Sequence, residues 1–345
     1  ADFNGVKVPV DTGFIVFNPL NYPNLVSMFE RLDVPWINTD MSFAVSLREG
    51  GCEYEGSLAG LVAQPGNLLR PRYWSMISDL VRFYRTGYSR AHSGPTDESL
   101  AEFLRREGYG TAFTEDHLLP MAAAIWSCSA RTMLDYPVRS FLQFMENHKL
   151  LNFIDRPQWR TVKGGSREYV NRLIDTLGGM NGGRVHLNTN ITGIRRDQGG
   201  VILSIEGQGD VWFDKVVMAA HADQSLAMIT DATVLERDIL SSFQFQPNRA
   251  VLHSDSSLMP KRRAAWGSWN YIGSHEGEES LCLTYWMNKL QSIDNAYPLF
   301  ETLNPHREPD PAFVHGTYSY DHPIFDERAV KGQQRLPMIQ GTGNL

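Results

Sequence analysis

Apolar residues recur at helical spacing along the first half of the chain. Leu25, Met28, Phe29 and Leu32 lie three or four positions apart, which predicts a helix over 22–32 with one apolar face. The same spacing predicts further helices, at 73–84, 99–106, 113–127 and 138–149. Residues from about 70 to 150 are therefore expected to form a mainly helical block.

Two residues mark features within these helices. Thr96 precedes the 99–106 helix and is predicted to be its N-cap, because a threonine hydroxyl can accept an unpaired amide of the first turn. Pro120 lies inside the 113–127 pattern and has no amide hydrogen, so it predicts a kink or a restart of that helix.

Short apolar runs separated by turn residues predict strands elsewhere in the chain. Residues 43–48 and 52–54 flank Gly50 and Gly51, a pattern typical of a β-hairpin. From residue 157 the pattern predicts several more strands, at 159–162, 185–187, 191–196, 201–206, 210–213 and 215–220. Helices are predicted from Ser166 to Leu177 and from Asp223, and the pattern is β-like again over 250–284. This order of elements suits an α/β nucleotide domain interrupted by a second domain.

Composition narrows the classes of function. The 345 residues carry a net charge of −7, which argues against a nucleic-acid partner. Three separated cysteines form no CxxC pair and favour a reducing compartment, so a cytoplasmic location is expected. The spacing of histidines and aspartates over 306–326 matches no ligand motif, and no metal is predicted.

Residues 10–18 read VDTGFIVFN and are followed by the helix predicted over 22–32. This segment resembles a signature of the monoamine-oxidase and phytoene-desaturase flavoproteins. A second stretch, WRTVKGGS at 159–166 with its helix and RVHLNTNITGI at 184–194, resembles that family's glycine pair, helix and adenine-side strand. A third, FDKVVMAAH at 213–221, resembles the strand that returns beneath the cofactor.

A narrower likeness is carried by residues 11–18, 285–288 and 340–345. It is to bacterial NAD/FAD-binding, amine-oxidase-like proteins and to the oxidase-like part of plant cyclopropane fatty acid synthases. The G-x-G-x-x-G turn of the family is absent, because Gly207 and Gly209 lie in a predicted hairpin and Gly341 and Gly343 precede no helix. The chain is therefore expected to be truncated at both ends.

The resemblance implies an α/β fold with a discontinuous, incomplete, Rossmann-like FAD-binding domain. That domain would comprise residues 1–35, 157–235 and 325–345. A substrate domain of mixed sheet plus helices would comprise 36–156 and 236–324. The implied function is FAD-dependent removal of a hydride from a hydrophobic substrate, an acyl chain or an amine. The alternative is a non-catalytic flavoprotein-fold module acting with a lipid-modifying partner enzyme, which would bring a peripheral membrane or lipid-enzyme contact.

The resemblance also implies which residues bind the cofactor. Gly13 would let the backbone approach the flavin ring, because a side chain there would block it. Ile191 would bind adenine through its main chain. The full predicted set is Asp11, Thr12, Gly13, Phe14, Ile15, Val16, Gly164, Gly165, Ser166, Ile191, Ala219, Ala220 and His221.

Each of these residues also has a plainer interpretation. Gly13 fits an ordinary turn, Asp11 a capping carboxylate, and Ser166 a helix N-cap. Ile191 fits any strand, and His221 fits a solvated histidine. The sequence identifies no catalytic residue, because in a flavin enzyme the cofactor carries the chemistry and the protein positions the substrate.

Overall fold

The computed structural model describes residues 1–126, 130–179, 183–273, 281–324 and 326–345. They divide into two compact units by packing. Unit 1 comprises residues 1–176 and 247–321, and unit 2 comprises residues 177–246 and 322–345. This division reflects packing alone, so the functional domain bounds given above remain a prediction. Cys128 lies outside the described residues.

The α-helices are α1 (Pro23–Arg31), α2 (Pro71–Ser93), α3 (Leu100–Arg106), α4 (Thr111–Phe113), α5 (Leu119–Trp126), α6 (Ala130–Leu134), α7 (Val138–Asn147), α8 (Arg167–Gly179), α9 (Ala222–Met228), α10 (Val234–Leu240), α11 (Met287–Gln291) and α12 (Glu327–Arg335). The strands are β1 (Asp2–Phe3), β2 (Val6–Lys7), β3 (Trp36–Asn38), β4 (Phe43–Leu47), β5 (Cys52–Glu55), β6 (Arg160–Val162), β7 (Ile191–Asp197), β8 (Gly200–Ile205), β9 (Gly209–Phe213), β10 (Gln244–His253), β11 (Trp269–Ile272), β12 (Leu283–Trp286), β13 (Phe300–Leu303) and β14 (Val314–Ile324).

Most of the helices predicted from apolar spacing are confirmed. Helix α1 buries Phe29 against Phe17, and α2 extends the predicted 73–84 helix in both directions. The predicted N-cap Thr96 is wrong, because Ser99 caps α3 instead. Its hydroxyl accepts the amide of Glu102, whose carboxylate accepts the amide of Ser99, so two free donors are satisfied together.

The apolar helix predicted over 113–127 is interrupted as the proline indicates. A π-helical turn occupies Thr114–Leu118, immediately before α5, whose second residue is Pro120. A proline cannot donate to the turn before it, and a widened turn accommodates the missing bond. This turn places Asp116 and His117 inside the helical block, where both side chains are buried.

Unit 1 is organised around a seven-stranded sheet of order β14-β10-β13-β12-β11-β4-β5. Register places five residues directly opposite one another on adjacent strands, on one face of the sheet. We call them the cross-strand row: Leu252, Glu301, Tyr285, Trp269 and Phe43. The next row on the same face packs against Ala123 and Ala124 of α5.

The opposite face of this sheet carries a buried polar chain. The amide of Asp255 donates to Nδ1 of His253 at 3.2 Å, which leaves the ring proton on Nε2. Nε2 in turn contacts the hydroxyl of Thr302 at 2.8 Å, and Thr302 contacts Thr284 at 2.9 Å. The histidine is therefore held in its neutral form.

Unit 2 contains an antiparallel sheet of order β7-β8-β9, which confirms the strands predicted at 191–196, 201–206 and 210–213. The strands predicted at 185–187 and 215–220 are wrong. Neither segment pairs with a strand in the described part of the chain, and Leu187 and Val217 are 77% and 91% exposed. Their alternating apolar residues fit a strand, but a strand also needs a hydrogen-bonded neighbour.

Candidate flavin site

Asp11 joins three distant segments of unit 1. Both of its carboxylate oxygens accept the amide of Ser166 at 3.0 Å. The side chain of Gln291, at the end of α11, donates to the same carboxylate at 2.7 Å and accepts the Asp11 amide at 2.9 Å. Charge-assisted bonds of this kind are among the stronger hydrogen bonds in proteins. The predicted capping role of Asp11 thus acts across the fold instead of within its own turn.

Further hydrogen bonds fix residues 11–17 along the glycine-pair segment. Ser166 donates through its hydroxyl to the carbonyl of Phe14 at 3.1 Å, and Thr161 donates to the carbonyl of Ile15 at 2.8 Å. Phe17 and Arg160 exchange backbone bonds at 2.9 and 2.8 Å. The two segments that carry the family resemblance in unit 1 therefore lie side by side.

The glycines of this site differ in what the fold requires of them. Gly164 and Gly165 have φ of +91° and +89°, where other residues are strained. A Cβ at Gly165 would also lie 3.2 Å from the Asp11 carboxylate. Gly13 has no positive φ, and a Cβ there would meet no atom of the described residues within 4 Å. The fold explains the glycine pair, whereas at Gly13 it leaves open space beside the backbone.

The other residues of the segment divide between core and surface. Phe14 is 38% exposed. Ile15 and Val16 pack against the buried cluster of Leu252, Met287, Leu290 and Leu299. The hydroxyl of Thr12 contacts that of Tyr320 at 2.6 Å, which ties the segment to the aromatic face of the large sheet.

The remaining predicted residues lie in unit 2. Ile191 opens β7 opposite Ile205, with a β-bulge before Gly193. Ala219 and Ala220 are exposed. The ring of His221 stacks on Phe245, with centroids 4.3 Å apart and planes 5° apart, and no described residue hydrogen-bonds its Nδ1. The position of these residues relative to Gly13 stays a prediction.

Glu301 is one of three residues near this segment that sequence reasoning missed. It is 1% exposed, and neither carboxyl oxygen has a hydrogen-bond partner among the described residues. Burial raises its pKa to about 8. Gln291 and Tyr320 were missed as well, because their contacts with Asp11 and Thr12 span 280 and 308 residues. Only the fold reveals such pairs.

The described residues contain no group of three or more His, Cys, Asp or Glu side chains placed to hold a metal ion. No helix among them is long and apolar enough to cross a membrane.

The family model for flavin containing amine oxidoreductases matches residues 2–248. The chain belongs to this family. It is therefore an FAD-dependent oxidoreductase of the amine-oxidase type, as the resemblance of residues 10–18 and 159–194 implied. No curated protein matches the sequence.

Solved structures of this fold are similar over nearly the whole chain. One is the CLA-producing fatty acid isomerase from P. acnes, 15% identical, with a TM-score of 0.60 over 100% of this chain and 82% of that one. Wild-type putrescine oxidase bound to putrescine is 10% identical, with a TM-score of 0.57 over 99% and 70%. Cyclohexylamine oxidase from Brevibacterium oxydans is 12% identical, with a TM-score of 0.56 over 91% and 73%. These likenesses confirm the α/β fold class.

One observation in unit 1 is compatible with a bound flavin. Gly13 leaves open space beside a backbone segment that hydrogen bonds hold in place on both sides, and a ring could lie against it without displacing a side chain. Hydride acceptance is the chemistry that FAD supplies when bound. The residues around Gly13 would bind and orient the ring, and the apolar side chains beside them would exclude water.

Proposed function

We propose that this chain removes a hydride from a hydrophobic substrate, an acyl chain or an amine, with Gly13 beneath the flavin ring. The open space at Gly13 carries this proposal, because the fold itself does not require glycine at that position. The remainder of the predicted set, from Asp11 to Val16, Gly164 to Ser166, Ile191 and Ala219 to His221, would complete the cofactor site.

The cross-strand row supports an apolar substrate. Phe43, Trp269 and Tyr285 are each partly buried, and two of them also pack with the cluster that holds Ile15 and Val16. Aromatic side chains bury large apolar areas against a ligand. A hydrophobic small molecule or an acyl lipid is therefore the partner that we propose for this face.

The proposal is tested with FAD-loaded protein under anaerobic conditions. Oleic acid and benzylamine represent the two substrate classes, and the readout is loss of the oxidised-flavin band near ~450 nm. Reduction of the flavin by either compound supports the proposed hydride removal and identifies the substrate class. A flavin that binds but that no substrate class reduces, while dithionite reduces it fully, would contradict the proposal and favour the non-catalytic module.

A further inference from the structure

A single carboxyl group interrupts an otherwise apolar row on the large sheet. Glu301 lies directly opposite Leu252 on one side and Tyr285 on the other, and Tyr285 is followed by Trp269 and Phe43. The Tyr285 and Trp269 rings meet edge to face, with centroids 5.2 Å apart. A leucine at position 301 would continue the row without a carboxyl group and leave the Tyr285 hydroxyl and the Trp269 indole as its polar side-chain groups.

Burial of this carboxyl group is unfavourable as it stands. Both oxygens are shielded from solvent and neither has a hydrogen-bond partner among the described residues. A buried polar group without a hydrogen-bond partner lowers the free energy of unfolding, and native proteins contain few such groups. Other buried acids of unit 1 are satisfied: Glu53 accepts from Ser46, Lys261 and Arg262, and Asp116 pairs with Arg48 and Arg72.

The row around Glu301 is connected to the flavin segment by shared packing. Leu252 belongs to the cluster against which Ile15 and Val16 pack, and Tyr285 packs on that same cluster. Tyr320, on the same aromatic face, contacts Thr12. The unpaired carboxyl thus lies on the sheet face next to the residues that flank Gly13.

We propose that Glu301 binds an oxygen atom of the substrate, a carbonyl or hydroxyl oxygen carried by an otherwise apolar molecule lying along the cross-strand row. This inference rests on the proposed function in one respect, that the row faces the substrate. It names a binding residue and a substrate class that the family alone does not assign.

The protonation of Glu301 favours an oxygen over an ammonium group. Burial raises its pKa to about 8, so the carboxyl carries its proton near neutral pH. Tyr285 is the titratable group that faces it, and burial raises the pKa of that phenol, so it is also uncharged. A neutral acid donates a hydrogen bond and needs an acceptor, whereas an ammonium group offers only donors.

The test measures the binding of three probes of equal chain length to the FAD-loaded protein by calorimetry. The probes are 2-octanone with an acceptor oxygen, n-octylamine with an ammonium group, and n-octane with neither. We expect the ketone to bind tightest. Glu301→Leu should weaken ketone binding about tenfold and leave octane unchanged. Glu301→Gln keeps a donor and should retain most of the affinity.

An infrared readout separates a ligand contact from a structural role. The carboxylic C=O band of Glu301, assigned by its loss in Glu301→Gln, should shift when the ketone binds and stay in place with octane. The exposed Glu30→Gln variant is the matched control and should behave as wild type. Octylamine binding tighter than the ketone, or ketone affinity equal in wild type and Glu301→Leu, would overturn the inference.

The outcome is distinguishable from failure of the proposed function. Glu301-dependent ketone binding in a protein whose flavin no substrate reduces would support the binding residue and contradict the proposed hydride removal from an acyl chain or an amine. Normal flavin reduction with ketone binding independent of Glu301 would do the reverse.

Discussion

Both carboxylate oxygens of Asp11 lie 3.0 Å from the amide nitrogen of Ser166, across 155 residues of sequence. Because the Gln291 side chain donates to the same carboxylate, removal of the carboxylate leaves two donors without their acceptor, the Ser166 amide and the Gln291 side-chain amide. We expect Asp11→Ala to lower the free energy of unfolding in urea by about 1–3 kcal/mol. The exposed helical Asp175→Ala should change it by less than about 0.5 kcal/mol. Equal values for the two variants would contradict the role given to Asp11.

Gly13 and Gly165 should respond to substitution in opposite ways. Gly13→Leu enters open space, so the flavin-free protein should unfold at the same urea concentration as wild type while FAD retention is lost. Gly165→Ala must adopt φ near +89° beside Asp11, and we expect it to lower the free energy of unfolding by about 1–3 kcal/mol. Unchanged FAD stoichiometry in Gly13→Leu would show that the flavin lies elsewhere.

Ile191→Val should have little effect on the cofactor. If adenine binds through the main chain at this position, loss of one methyl group leaves the contact intact and costs about 0.5–1.5 kcal/mol of stability at most. FAD content per chain, measured after denaturation, should match wild type. Complete loss of flavin in this variant would count against the predicted adenine strand.

The free energy of unfolding should fall as the pH drops below about 6.5, the ordinary pKa of a histidine side chain. Burial lowers the pKa of His117 and of His253 to about 4, so in that window the unfolded chain binds protons that the folded chain does not. Each histidine should contribute about 3 kcal/mol to the loss by pH 4. Urea unfolding between pH 4 and 7 measures this slope, and His117→Gln and His253→Gln should each reduce it. A slope identical in all three proteins would be incompatible with neutral buried rings.

Glu301 should produce the opposite trend. Its pKa rises from 4.5 to about 8 on folding, so the folded chain holds a proton that the unfolded chain releases between these values. The free energy of unfolding should therefore decline with rising pH from about 4.5 to about 8, and Glu301→Gln should remove that decline. Measurements above pH 6.5 avoid the histidine window. A variant that keeps the full decline would place its origin at another group.

The sequence pattern predicted those elements that residues close together in the chain determine. The 43–54 hairpin and helix α1 follow from apolar spacing and turn residues, and the family signature led to Asp11, Gly13 and Ser166. The prediction of Thr96 as the N-cap was wrong because Ser99 caps this helix. Ser99 and Glu102 satisfy each other's backbone amides in a capping box. The signal S-x-x-E was present in the sequence and outweighs the threonine.

Long-range geometry accounts for what the sequence could not predict. The strands expected at 185–187 and 215–220 have suitable side chains but no neighbouring strand among the described residues. Glu301 occupies a short run, FETL, whose pattern does not indicate which face of which sheet it joins. Its significance depends on the pairing of β13 with β10 and β12.

Because of that pairing, the register of β13 decides which side chains lie on each face of the sheet. Side chains alternate between faces along β13, so sliding the strand by one residue would exchange Glu301 for Phe300 or Thr302. Glu301 would then lie on the opposite face of the sheet, beside His253 and Thr284, where the histidine is already hydrogen-bonded. Tyr285 would instead face the side chain of Phe300 or of Thr302. A one-residue insertion or deletion within β13, ahead of Glu301, would therefore place a different side chain in the cross-strand row and change what this surface can recognise.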